Sequence, residues 1–472
     1  MKNSNTKSKS KDSKSSGNVA GKNNVRKAQK NAVHFNARET SLLIIMDVLE
    51  DKKYLKDARE KHFYDLRKNG IYPDSRDRSF INSLSKGVVE KCLTLDYMID
   101  SYSKTWTFEM EPVIRSILRM AVYELFFFDR TPDYSSINEA VNLTKRHGYT
   151  RLSGFVNGVL RNISRHKDEL ISKIDKNQKA EVKYSIPNEI FRAFEVDYGY
   201  DQAVKIAEAF ELPETITARV ITQRISADAL IQKLSDETID AEKYDDVSIV
   251  IKDSEKILSS KTFKDGLFYI QDLSSMMVER EFSKIENAID KNSENEKIHL
   301  LDLCSAPGGK SIDFSDTYGE NINIISCDVS EKKIKKINEN TKKFSLSNIT
   351  STVNDASVLN PDFENAFDIV LCDVPCSGLG TCSHRPEVKY RQSEAGFCDL
   401  RIIQTKIIEN ASKYVKAGGF LIYSTCTFNK EENDEIIEKF LAEHSAFKCV
   451  EQKTIFPDAL HDGFFISILR TQ

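Results

Sequence analysis

Two cysteines and an aspartate in the carboxyl-terminal half of the chain stand where side chains of their kind do covalent chemistry. Asp373-Val374-Pro375-Cys376-Ser377-Gly378 and Ser424-Thr425-Cys426-Thr427 each follow or close an apolar run, Phe367 to Cys372 and Phe420 to Ser424, of the length and composition of a buried strand. Cysteines inside apolar runs, such as Cys327, Cys372 and Cys449, read as small core hydrophobes. Cys376 and Cys426 instead sit just past their strands, among small and polar residues. A thiolate there could add to carbon 6 of a cytosine, which makes carbon 5 enamine-like and able to accept a methyl group it would not take unaided. A carboxyl close to the base, for which Asp373 is the candidate, would support that addition at ring nitrogen 3 as an acid or hydrogen-bond donor. After transfer the proton on carbon 5 must leave and the sulfur-carbon bond must break, a step that a second thiol nearby could assist.

A methyl donor needs a seat of its own. Asp302-Leu303-Cys304-Ser305-Ala306-Pro307-Gly308-Gly309-Lys310 reads as a strand running into a small-residue turn that opens a helix. Its glycines permit close backbone approach, and the free amides of a helix start can hold a ligand carboxylate. The missing glycine four residues before Gly309-Lys310 disfavours a nucleotide triphosphatase. Asp328 closes the next strand, where an acid reaches ribose hydroxyls, and Asp355 follows a third, where an adenine amino group could be met. Strand-end aspartates also serve as helix caps, so each has this second reading. Together the positions suit the amino acid, ribose and adenine of S-adenosylmethionine, laid across a sheet edge.

The elements that would carry these residues alternate from Lys297 onward between apolar β-rich runs and helical stretches: Ile298 to Leu303, Ile322 to Cys327, Phe367 to Cys372 and Phe420 to Ser424. That pattern predicts a doubly wound parallel sheet over 283–472, with ligands beyond the carboxyl ends of its strands. Upstream, apolar residues recur at helical spacing, as in Leu42, Ile45 and Val48, Ile81, Leu84 and Val88, and Ile114, Ile117, Leu118 and Ala121. An all-helical domain is expected over 34–173, with Asp77 and Ser79 as candidate caps. Residues 184–282 mix helical segments with strands near Ala218–Thr222, Val247–Ile251 and Gly266–Ile270, a small α/β connecting domain.

With 472 residues, 40% of them hydrophobic, the chain is long enough for two or three domains with separate cores. No window offers the roughly 20 apolar residues of a membrane span, and nine scattered cysteines without a CxxC pair or histidines at zinc spacing fit free thiols in a reducing compartment. A cytoplasmic, monomeric protein without a metal is expected. The net charge is -4, yet residues 1–33 carry nine Lys/Arg and one Asp, a composition expected to stay disordered and suited to a solubilising tail or a phosphate tether. The remainder is more acidic still, so RNA contacts there must come from local basic patches.

The helical region resembles the NusB-like RNA-binding domain through Ala37-Arg38-Glu39, Asp77-Arg78-Ser79-Phe80, Ile114-Arg115-Ser116-Ile117-Leu118-Arg119, Ile137-Asn138-Glu139-Ala140-Val141 and Phe155-Val156-Asn157-Gly158-Val159-Leu160-Arg161. With the cysteine motifs and the Asp302–Lys310 turn, residues 34 to 472 resemble the Fmu/Sun family of RNA 5-methylcytosine methyltransferases. Further matches are Gln271-Asp272-Leu273-Ser274-Ser275, Gln404, Lys416-Ala417-Gly418-Gly419, Glu431-Glu432-Asn433 and Asp462-Gly463-Phe464-Phe465. The resemblance implies a Rossmann-like class I methyltransferase domain, S-adenosylmethionine as cofactor, and carbon 5 of a cytosine in 16S (small-subunit) ribosomal RNA as the target. It makes Cys426 the nucleophile, Cys376 the aid to product release and Asp373 a contact to the base. It places the cofactor on Cys304, Ser305, Ala306, Pro307, Gly308, Gly309 and Lys310 with Asp328, Asp355 and Asp373. Two departures bear on RNA contacts: Arg219-Val220-Ile221 stands where the family has Arg-x-Asn on an RNA-facing wall, and Thr381-Cys382-Ser383-His384-Arg385-Pro386 replaces a segment with paired arginines.

A DNA 5-methylcytosine enzyme would attack with the Pro-Cys cysteine and has no need of Thr-Cys, so Cys426 argues for RNA. An amino-group methyltransferase would carry an Asn/Asp-Pro-Pro-aromatic run in place of Asp373–Cys376. Transfer RNA is the alternative substrate. A reading of a different class, an RNA-binding assembly or antitermination factor with a vestigial methyltransferase domain, leaves the paired cysteines without a purpose.

Overall fold

The computed structural model describes residues 35–472 except 130, 178, 214, 253 and 286–296; the Lys-rich segment 1–33 lies outside the described residues. The amino-terminal part is helical: α1 (Ala37–Leu49), α2 (Leu55–Lys68), α3 (Ser75–Glu90), α4 (Cys92–Asp100), α5 (Pro112–Phe127), α6 (Asp133–Arg146), α7 (Ser153–Arg165) and α8 (Lys167–Asp175). Helix α5 starts with Pro112 in its first turn, where the missing amide costs nothing, and buries Ile114, Ile117, Leu118 and Ala121 at the centre of one apolar core. Helix α3 begins earlier than its periodicity predicts: the cap is Asp74, whose carboxylate accepts the Asp77 amide. Asp77 and Ser79 therefore lie within the helix, because the turn at Pro73 releases the chain three residues sooner.

The charged residues that carry the NusB-like resemblance are largely internal struts. Arg38 makes a two-pronged pair with Glu124 at 2.8 and 2.6 Å, Arg115 pairs with Glu50 at 2.7 Å, and Arg119 pairs with Asp96 at 2.7 and 2.6 Å. Parallel guanidinium-carboxylate forks of this kind fix angles between helices.

Helices α9 (Asn188–Tyr198) and α10 (Tyr200–Ala209) lead to a four-stranded antiparallel sheet of β1 (Ile216–Val220), β2 (Ala241–Lys243), β3 (Ser248–Ile251) and β4 (Phe268–Ile270), in the order β2-β3-β1-β4 and backed by α11 (Ala227–Asp236). Next comes α12 (Leu273–Ser283), followed by a seven-stranded sheet: β5 (Ile298–Asp302), β6 (Ile322–Asp328), β7 (Ile349–Val353), β8 (Phe367–Asp373), β9 (Val415–Thr425), β10 (Phe447–Ile455) and β11 (Phe464–Thr471). Its order is β10-β11-β9-β8-β5-β6-β7. The helices α13 (Gly309–Tyr318), α14 (Glu331–Phe344), α15 (Glu394–Tyr414) and α16 (Asp434–Glu443) make the crossovers, and two apolar cores fill opposite faces.

The sheet is mixed: β7, β6, β5, β8 and β9 are parallel, but β11 runs antiparallel between β9 and β10. The parallel expectation did not include this end: β10 is an edge strand with mostly exposed or half-buried residues and gives no apolar run, and β11, though apolar, follows it without a crossover helix and so returns antiparallel. Strand β9 also starts at Val415, with Lys416–Gly419 drawn into it through a register shift opposite Phe367–Ile369.

Candidate active site

Strands β5, β8 and β9 end side by side, and the turns after them supply the site. After β5 the chain reaches Gly308, whose φ of +102° is open to glycine, and α13 starts at Gly309. A side chain at Gly309 would press to 3.1 Å from Gln271 Nε2 and 3.2 Å from the Tyr269 ring, so the cradle is kept open by having none.

A pocket of about 290 Å³ opens here, and Cys304, Ser305, Ala306, Pro307, Gly309, Lys310, Asp373 and Cys426 line it. Buried Lys310 donates to Asp373 Oδ2 at 2.6 Å and to Ser275 Oγ at 3.1 Å. Burial disfavours its charge, but the Asp373 carboxylate outweighs that and holds the ammonium above the usual lysine range. The other Asp373 oxygen accepts Ser424 Oγ at 2.9 Å. Both Asp373 oxygens thus accept a hydrogen bond from a neighbouring side chain.

Cys376 Sγ and Cys426 Sγ are 3.3 Å apart. The Cys376 hydrogen bond draws the Cys426 thiol below the usual range against the opposing effects of burial and the Asp373 charge, helped by the charges of Arg385 and Lys310. The same contact, with burial, pushes Cys376 well up. The two thiols are therefore unequal, with Cys426 the readier thiolate. The Cys376 turn is tied down from behind, since fully buried Glu432 accepts the Ser377 amide at 2.8 Å and Gln404 Nε2 at 2.9 Å, and Gln404 also donates to Pro375 O.

Other expected cofactor residues lie elsewhere. Asp328 sits behind the turn: Oδ2 accepts the Ala306 amide at 3.1 Å, and Oδ1 accepts the Val329 amide and Lys333 Nζ. Asp355 is exposed, and its Oδ1 accepts both the amide and the hydroxyl of Ser357, a local turn cap. Neither lines the pocket.

Asp302, Gln271, Arg385 and Asp462, which the sequence motifs contain without assigning them to the site, also line it. Asp302 is pushed up to about 6 by burial; Oδ2 accepts Ser311 Oγ at 2.7 Å while Oδ1 has no partner. Its place at the head of the glycine turn was the available signal. Asp462, near Asp272 and His384, is raised to about 7 by burial and the Asp272 charge. Arg219 and Ile221 are each 1% exposed: the guanidinium pairs with Glu279 at 3.2 Å and Asp313 at 3.3 Å, and Ile221 joins the core under β5. The expected RNA-facing wall is a buried strut at this point, because β1 packs against α12 and α13. Ser383 donates to Asp462 Oδ1 at 3.2 Å.

A doubly wound sheet with a glycine-turn cradle at its strand ends defines a Rossmann-like methyltransferase, here behind a NusB-like helical region. Profiles for "16S rRNA methyltransferase RsmB/F" and "NusB family" match residues 288–470 and 35–165. The chain is 32% identical over 380 residues to the "Probable ribosomal RNA small subunit methyltransferase B" of Bacillus subtilis, spanning 79% of this chain and 82% of that one. It is 27% identical to the protein so described from Synechocystis, over 92% of this chain and 99% of the relative. Among solved structures, PH0851 superposes with a TM-score of 0.73 at 22% identity over 93% of this chain and 99% of its own. NSun6 from Pyrococcus horikoshii with SFG does so at 0.53 and 21% identity, over 60% and 98%. The chain belongs to the ribosomal RNA small subunit methyltransferase B family.

Proposed function

We propose that the protein is a cytoplasmic enzyme that methylates carbon 5 of one cytosine in 16S ribosomal RNA through a covalent bond to Cys426. The observation that carries this reading is the pair of thiols, 3.3 Å apart, at a pocket edge shared with the Lys310–Asp373 pair. Residues 34–173 serve as the RNA-binding NusB-like domain, 184–282 as the connecting domain and 283–472 as the catalytic domain.

The residues of the pocket fit S-adenosylmethionine. Amides at the start of α13 suit its carboxylate, and the unpartnered Asp302 Oδ1 suits its ammonium. Bound there, it supplies an electrophilic methyl group on a sulfonium sulfur. Asp328 and Asp355 reach its ribose and adenine only after giving up their present backbone and side-chain partners.

Cys426 attacks carbon 6 as a thiolate, its charge supported by Cys376, Arg385 and Lys310. Asp373 holds the amino edge of the base as an acceptor, and the Lys310–Asp373 hydrogen bond carries the proton that nitrogen 3 gains. Carbon 5 takes the methyl group; its proton then passes to water or hydroxide reaching the pocket, and nitrogen 3 returns its proton to the Lys310–Asp373 pair as the ring double bond re-forms. The bond to Cys426 breaks as electrons return to sulfur, with the Cys376 thiol beside it to protonate or shield the leaving thiolate.

Incubation with tritiated S-adenosylmethionine and unmethylated 16S ribosomal RNA or transfer RNA, followed by bisulfite sequencing, tests the reading. One protected cytosine in ribosomal RNA is the expected result. Protection only in transfer RNA moves the substrate, and no incorporation together with no donor binding favours the vestigial RNA-binding factor.

A further inference from the structure

Once carbon 5 carries the methyl group, its hydrogen has to leave before the bond to Cys426 can break, and the water that takes it needs an acceptor of its own. Among the described residues, four carboxylates line the catalytic pocket: Asp272, Asp302, Asp373 and Asp462. Three of them are committed elsewhere. Asp373 is held on both oxygens by Lys310 and Ser424. Asp302 stands at the head of the glycine turn, bonded to Ser311, where the ammonium of the methyl donor fits. Asp272 caps α12 through the Ser274 amide and accepts the Asp462 amide with both oxygens. Asp462 keeps an oxygen to spare: Oδ1 accepts Ser383 Oγ at 3.2 Å, and Oδ2 has no hydrogen-bond partner among the described residues.

The backbone fixes this carboxyl beside the nucleophile. Cys426 O accepts the Gly380 amide at 3.1 Å, and Gly380 O accepts the Gly463 amide at 2.9 Å. The three segments press so closely together that a side chain at Gly380 would overlap Gly463 O, and one at Gly463 would overlap the Phe428 ring. Glycine alone allows this approach, and it brings the residue before Gly463 to the pocket that Cys426 lines. The Arg385 charge acts on both Cys426 and Asp462.

On its other side Asp462 lines a small outer recess with Ser383, His384, Asp458 and His461. His384 Nε2 is 3.4 Å from Asp462 Oδ1, and its side chain is 30% exposed. An imidazole so placed gives a proton a way out that does not lead back past the substrate. Burial and the Asp272 charge, against the opposing effects of His384, Ser383 and Arg385, raise the Asp462 carboxyl to about 7, so it can both take and release a proton near neutrality.

We propose that Asp462 is the acceptor for the carbon 5 proton, which reaches its spare oxygen through one water and leaves by way of His384. The proposal rests on reading the protein as a methyltransferase that works through a Cys426 adduct, and it supplies the group that lets the adduct resolve. The carbon–hydrogen bond at carbon 5 breaks and its electron pair becomes the double bond to carbon 6. The Cys426 sulfur leaves carbon 6 with the electrons of the sulfur–carbon bond, while water takes the carbon 5 proton and hands one of its own to Asp462.

Adduct decay, measured apart from adduct formation, tests this. Full-length protein is mixed with tritiated S-adenosylmethionine and unmethylated 16S ribosomal RNA and quenched in denaturant at set times; label in the protein–RNA band is then followed against label in free RNA. Asp462→Asn keeps the volume and the Ser383 bond. It is expected to load the adduct within about threefold of the wild-type rate and to release it about 100-fold more slowly, the low end of what a positioned base contributes. In wild type, release should rise with pH and level off above about 7. Asp272→Asn retains the helix cap but removes the charge facing Asp462, so the midpoint should move to lower pH, which a merely structural role would not produce. Decay in Asp462→Asn equal to wild type overturns this inference alone. A midpoint unmoved by Asp272→Asn does the same, and that arm stands even if Asp462→Asn does not fold. Wild type that forms no adduct overturns the catalytic reading and this inference with it.

Discussion

Replacing Glu432 by alanine should loosen the catalytic turn without touching substrate. Its Oε2 accepts two donors, the Ser377 amide and Gln404 Nε2, at a position with no solvent access. Truncation leaves the Ser377 amide without this acceptor and Gln404 Nε2 with Pro375 O alone. A buried donor left without its partner costs about 1–3 kcal/mol, more when that partner was charged, and the vacated volume adds a cavity contribution. A loss of about 3–5 kcal/mol is expected for the catalytic domain, against about 1–2 kcal/mol for Glu432→Gln, which keeps the volume and one acceptor oxygen. Urea unfolding followed through loss of methyl-donor binding gives the stability change, and the lifetime of the denaturation-resistant protein–RNA adduct reports on the Cys376 turn. The adduct should persist longer in Glu432→Ala, because the Pro375 to Gly378 segment no longer holds Cys376 against Cys426. A stability change below about 1 kcal/mol together with an unchanged adduct lifetime would refute the reasoning.

Cys426→Ala should abolish methyl transfer while donor affinity stays within about twofold, and measurable residual methylation would exclude Cys426 as the nucleophile. Cys376→Ala should accumulate a covalent protein–RNA adduct visible on a denaturing gel. In that variant Cys426 also loses the hydrogen bond that lowers its pKa, so the pH profile of its iodoacetamide alkylation should move to higher pH. Asp302 has a carboxyl raised in the folded state to about 6 from 3.8, so the folded form binds the proton more tightly than the unfolded one and stability should fall as pH rises between those values. Asp302→Asn should flatten that part of the stability curve, and an unchanged slope would show that the carboxyl is not buried as described.

What the sequence disclosed was whatever depends on runs and punctuation. The strands at Ile298, Ile322, Phe367 and Phe420 announce themselves by apolar continuity, and the glycine turn and both cysteine motifs stand directly after them. What it hid depends on pairing across distance. Nothing local tells that Asp373 meets Lys310, 63 positions earlier, or that Glu432 supports a turn 55 positions before it. Arg219 looked like a surface contact because arginines mostly are exposed; only the packing of β1 against α13 reveals its carboxylate partners. Strand β10 escaped because an edge strand buries too little to leave an alternating pattern.

The segment Pro386–Arg391 ties the catalytic domain to helices made far earlier in the chain. Lys389 Nζ donates to Glu90 O at 2.9 Å, Tyr390 OH reaches Ser185 O at 3.0 Å, Lys52 Nζ donates to Tyr390 O at 3.2 Å, and Arg391 donates to Lys52 O. Buried Lys389 is lowered to about 8 by its burial. During synthesis the helical domain leaves the ribosome with this groove unfilled and waits through some 300 residues of elongation before the plug arrives. For that interval Leu55 and Ser185 face water in place of Glu387 and Tyr390. The last-made half thus completes the first-made one, and a nascent chain released before residue 391 leaves the groove open to chaperones and proteases.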